Sequence, residues 1–160
     1  MEAIGRLILR VLLVPLGALV AILVAAMTLI MANRVALVAI ANSDPQQQSY
    51  YIYALPLLIF GLGLSTILMM LPAVIGALIA EAFAIRSAIY HALNGGLSAW
   101  VGWSAISDMR EDYAFLNDPK IIIAAGLAAG FAYWLVAGWS AGFWKPVFRR
   151  APQLAAAVKP

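Results

Sequence analysis

Four long stretches of this chain carry no charged residue, and short charged or polar breaks separate them. No Asp, Glu, Lys or Arg falls between Arg10 and Arg34, between Asp44 and Glu81, between Arg86 and Asp108, or between Lys120 and Lys145. Each stretch exceeds the roughly 20 residues that an α-helix needs to cross the hydrocarbon core of a bilayer. Lipid offers no partner for backbone N–H and C=O groups, so a spanning segment must be a helix or part of a closed barrel. Barrel strands alternate apolar and polar residues in short segments, and runs such as Leu16 to Ala32 do not alternate. The pattern predicts an all-α integral membrane protein, a four-helix transmembrane bundle with both termini cytoplasmic. Its helices are expected over about 6–33, 46–80, 87–105 and 120–144, in one domain over 1–150, with a flexible cytoplasmic tail over 151–160.

Composition narrows the function classes. The chain is 65% hydrophobic and 11% charged, against roughly 25% charged in an ordinary soluble domain. It has no cysteine, which excludes disulfides, thiolate chemistry and cysteine-based metal sites. Its basic residues do not interleave with aromatics as on a nucleic-acid surface, so no nucleic-acid partner is expected. In a membrane protein they report orientation. Arg6, Arg10, Arg86, Lys145, Arg149, Arg150 and Lys159 fall on the side of the termini, and Arg34, Arg110 and Lys120 on the other. The bias places both termini inside. Abundant alanine and an excess of Arg over Lys fit a bacterial inner membrane.

Local signals set the boundaries. Arg6 and Arg10 lie one turn apart at the start of the first helix, and Pro15 interrupts it. Ala39-Ile40-Ala41 resembles a signal-peptidase site, but the apolar region before it is far longer than the roughly 7–15 residues of a signal peptide. The stretch 35–41 is too short to span and reads as a helical extension or an interfacial segment. Asp44, Pro45 and Gln47 form an N-cap, a first-turn proline and a capping-box partner. Tyr50, Tyr51 and Tyr53 then mark entry into the interface, and Pro72 is expected to kink the helix. Asp118-Pro119 repeats the cap signal before the fourth helix.

The third helix carries the chain's most costly polar groups. Ser87, His91, Asn94 and Ser98 are spaced by four, three and four residues, which places them within a stripe about 60° wide. Polar groups at membrane depth face a protein interior or a water cavity. The stripe is therefore either a proton or solute path, with His91 as its titratable member, or a set of interhelical hydrogen bonds. Glu81 and Arg86 bracket the turn before it, as an interfacial ion pair or two solvated charges. Gly126 and Gly130 form a small-xxx-small face on the fourth helix that Ala137 and Ala141 continue, and Gly138 with Gly142 makes a second strip about 100° round. Two smooth faces suggest one partner helix within the chain and one outside it, or two within it. On the second helix Gly61, Ser65 and Gly76 are expected on one face, a seat for the fourth helix or the polar stripe.

No Walker loop, His-Glu-x-x-His or Gly-x-Ser-x-Gly motif is present, and a single histidine makes a metal site improbable. No catalytic residue, metal or cofactor is expected. The expected function is that of a non-enzymatic accessory or assembly subunit, packed in the lipid bilayer against a larger membrane complex. The alternative is a small homo-oligomeric transporter or channel that uses the polar stripe.

Overall fold

The computed structural model describes residues 2–106 and 118–142, side chains excepted at 2–7, at several positions of 51–65 and at 106. The predicted loop carrying Asp108, Arg110, Glu111 and Asp112, the stretch beyond Gly142 with its four bases, and the tail over 151–160 lie outside the described residues. All described elements are helical. α1 spans Glu2–Ala32, α2 Arg34–Ala41, α3 Pro45–Phe83, α4 Ala88–Ile106 and α5 Pro119–Val136, and a single 3-10 turn covers Gly138–Ser140.

The cap signals act as the sequence implies. Asp44 is extended (φ −65°, ψ 159°) and its side chain accepts from the Gln47 N–H at 3.0 Å, with Pro45 opening α3. Asp118 accepts from the Lys120 N–H at 2.9 Å, with Pro119 opening α5. Such caps each contribute about 1 kcal/mol. Asn33 separates α1 from α2, and its amide donates to the Leu29 carbonyl at 2.9 Å. The stretch 35–41 is thus a short helix of its own, and none of its residues is buried. α3 ends in a reversal at Ala84, which is left-handed (φ 54°, ψ 45°). The Ile85 N–H returns to the Ala80 carbonyl at 2.8 Å and the Ala84 N–H to Glu81 at 3.4 Å, the paired bonds of a Schellman motif.

The fourth predicted helix is shorter than expected. It stops at Val136 rather than running to Trp144. The Ala137 carbonyl is taken by the Arg10 guanidinium at 2.8 Å, the chain tightens into the 3-10 turn, and Gly142 has φ +87°, a conformation that a helix cannot contain. Gly138 and Gly142 therefore do not form a second helical strip, and Ala141 does not continue the face of Gly126 and Gly130.

Among the described residues, three helices contain segments long and apolar enough to cross a membrane, namely Ile8–Ala32, Thr66–Phe83 and Pro119–Val136. The distribution of side chains agrees. Leu12, Leu23, Met27, Ile67, Leu71 and Ile89 are all more than 60% exposed, whereas the buried positions, Ile122 apart, are held by Ala, Gly, Ser, His and Arg. Lipid is as apolar as Leu, so large aliphatic groups gain nothing by turning inward, and small residues that let backbones approach gain contact.

Packing follows the order α1–α5–α4–α3. The centre is the α4–α5 seam. A Cβ at Gly126 would lie 2.5 Å from both the Ala99 Cβ and the Gly95 carbonyl oxygen, and one at Gly130 would lie 3.0 Å from the Ala92 Cα. Glycine on both helices allows this approach. The outer pair, α1 and α3, share no extended face. One flank of this row holds an apolar groove of about 800 Å³, bordered by Pro72, Gly76, Asn94, Gly96, Trp100 and Leu127.

Candidate functional site

Polar side chains from every long helix or its adjoining loop meet at one end of the row. This end holds the start of α1, the end of α3, the start of α4 and the end of α5. Arg10 is buried at 9% exposure although it stands inside the apolar run of α1. Its Nη1 donates to the Ala137 carbonyl and lies 3.2 Å from Glu81 Oε1. The other carboxylate oxygen, Oε2, accepts from the Gly142 N–H at 2.8 Å. Glu81 thereby ties α1 to the strap over 137–142, which the helix break at Ala137 creates.

Arg86 does not pair with Glu81. Its Nε donates to the Ala141 carbonyl at 3.0 Å, and its own carbonyl accepts from the Trp134 indole at 2.8 Å. The bracket that Glu81 and Arg86 form in sequence is a pair of separate anchors on the same strap. The strap fits because its neighbours are small. A Cβ at Gly138 would stand 2.8 Å from the His91 ring, and Ala137 is wholly buried against Gly17, whose own Cβ would lie 3.0 Å from the Ala137 Cβ.

The polar stripe of α4 divides between neighbours. Ser87 is exposed and accepts from the Tyr90 N–H at 3.4 Å as the cap of α4. His91 is 2% exposed and faces α5, its ring centroid 5.5 Å from that of Tyr133. Its Nε2 lies 3.3 Å from the Ile85 carbonyl, which can only accept, so this nitrogen carries the proton. Asn94 turns instead to α3, donating to the Ala73 carbonyl at 3.1 Å. Tyr90 reinforces that contact through its hydroxyl, which donates to the Gly76 carbonyl at 2.9 Å. Ser98 is buried but bonds back to the Asn94 carbonyl of its own helix at 2.6 Å. Among the described residues Tyr90, His91, Asn94 and Ser98 thus end on backbone carbonyls, not on one another.

The sequence marks Arg10 only as an orientation charge at the start of the first helix, and does not mark Tyr90, Tyr133 or Trp134 as site residues. Arg10 offered a signal, since a charge one turn inside an apolar run needs a partner. The aromatic residues offered none, because rings at such positions usually serve as interface anchors. No group of three or more His, Cys, Asp or Glu that could hold a metal ion occurs among the described residues.

Fold and site together define a helical membrane protein whose polar side chains lock helix ends together. Comparison with protein-family models, with curated proteins and with solved structures found no match.

Proposed function

We propose that α1, α3, α4 and α5 each cross the bilayer, with both termini cytoplasmic in a bacterial inner membrane, and that the chain is a non-enzymatic accessory or assembly subunit. The carrying observation is that His91, Asn94, Ser98 and Tyr90 are each spent on a backbone carbonyl of the same chain. α4 thus works as a tie between α3 and α5. This supports an architectural role over a conducting one, because His91 and Asn94 face different neighbours and leave no continuous polar track among the described residues. α4 is 19 residues long, about 28 Å of helix, which matches the hydrocarbon thickness.

The open flank, not the second small strip, supports a partner. Gly138 and Gly142 are used inside the chain against His91 and Ala84. The groove between α3, α4 and α5 remains uncovered, and its walls are almost wholly apolar. The deciding experiment is purification in mild detergent followed by native mass determination. The accessory reading expects co-purifying membrane subunits in defined ratio. Recovery as a monomer alone sinks it, and recovery as a defined homo-oligomer favours the transporter alternative.

A further inference from the structure

Two guanidinium groups reach the strap over 137–142, and each retains an unused donor. Arg10 spends Nη1 on the Ala137 carbonyl and on Glu81, and Arg86 spends Nε on the Ala141 carbonyl. Nη2 of each is buried and has no hydrogen-bond partner. A buried charged donor left unpaired is more costly than a neutral one, so a partner for these nitrogens is to be expected. Charge points the same way. Arg10 and Arg86 stand against the single carboxylate of Glu81. Asp44 and Asp118 cap the opposite ends of α3 and α5. Glu2 lies two turns before Arg10, about 12 Å along α1. One positive charge at this end of the row is uncompensated among the described side chains.

Chemistry selects the ligand. Both guanidiniums are tied to the one strap, Arg10 at Ala137 and Arg86 at Ala141, and a planar guanidinium with a free N–H edge matches a phosphate oxyanion through charge-assisted bonds.

We propose that Arg10 and Arg86 form a binding site for a phosphate oxyanion at this membrane surface. Both Nη2 atoms are covered by protein, so the anion enters when Arg86, the more exposed of the two, swings away from Ala141. An anionic phospholipid headgroup and free phosphate share this chemistry.

The test uses the full chain in nanodiscs. In one arm the discs contain equal phosphatidylglycerol and phosphatidylcholine, and native mass spectrometry reads which lipid stays bound. In the other, discs of phosphatidylcholine alone are titrated with inorganic phosphate while tryptophan emission is followed, since the Trp134 indole sits on the Arg86 carbonyl. Arg86→Gln keeps a donor for Ala141 and removes the charge. It is expected to weaken retention or phosphate affinity about tenfold, while Arg34→Gln, at the other end of α1, leaves both unchanged. Preferential retention of phosphatidylglycerol assigns the site to a lipid, and a saturable phosphate response without lipid preference assigns it to the free ion. The proposal is overturned if wild type shows neither, or if Arg86→Gln retains full binding. Should Arg86→Gln not fold, Arg86→Lys, which keeps the charge but not the planar fork, replaces it and must still weaken binding.

Discussion

Gly138 lies so close to His91 that a Cβ on it would stand 2.8 Å from both Cδ2 and Nε2 of the imidazole. The ring is 2% exposed and held between Tyr90 and Tyr133, so it has little room to retreat. Gly138→Ala is expected to destabilise the fold by about 1–3 kcal/mol, the usual cost of overpacking. Gly63→Ala, at a position with nothing within 4 Å, is expected to be neutral or stabilising. Unfolding titrations in mixed micelles compare the two, and equal effects would show that the strap does not pack on His91.

The α4–α5 seam gives a second expectation. Gly130→Leu forces the helices apart and should abolish the folded state or greatly lower its stability. Leu127→Ala removes a side chain that is 37% exposed at the edge of the groove, and its effect should remain below about 1 kcal/mol. A Gly130→Leu protein that melts like wild type would contradict the glycine contact.

Arg10 and Glu81 should behave as a coupled pair. Arg10→Gln strands a carboxylate, and Glu81→Gln strands a guanidinium. Each single change is expected to cost about 3 kcal/mol, and the double variant less than the sum. Arg10→Gln should be the worse of the two, because Arg10 also supplies the donor that holds Ala137. Strict additivity across the cycle, measured by denaturation, would mean that the pair is not energetically linked.

Ala84 occupies the left-handed conformation that ends α3. Such a residue without glycine bears a penalty of about 1–2 kcal/mol. Ala84→Gly is expected to raise the melting midpoint modestly. A fall would indicate that contact between the Ala84 methyl and Gly142 outweighs the backbone relief.

His91 separates the two functional readings. His91→Gln retains donor and acceptor capacity and should leave stability and complex formation nearly intact. Reconstituted wild type should carry no proton or solute flux above empty liposomes. A pH-driven flux that His91→Gln abolishes, with folding unchanged, would displace the architectural reading.

What the sequence could tell depended on the range of each interaction. Asp44-Pro45 and Asp118-Pro119 announce helix starts because the cap and its donor lie two or three residues apart. The stop at Val136 has no such local mark, since Arg10, 127 positions away, takes the carbonyl that a longer helix would have used. Long range also hid the partner of Glu81, which is Arg10 although Arg86 was the obvious neighbour. Gly126 and Gly130 were recognisable as a close-packing face, but only the fold identifies Gly95 and Ala99 as what they meet. The stripe of Ser87, His91, Asn94 and Ser98 was visible as a periodicity. Its division between α5 and α3 arises from which carbonyls those helices present.

The order of packing constrains how the molecule is made. α5 is the last described helix to leave the ribosome, yet it sits between α1 and α4 and supplies, among the described residues, the broad surface that α1 meets. Until it is made, α1 and the α3–α4 hairpin are tethered by α2 and little else, and Arg10 waits for a carbonyl not yet synthesised. Biogenesis therefore closes from the end of the chain backwards. A ribosome stalled after residue 117 would leave two loosely joined fragments in the bilayer, exposed to quality-control proteases.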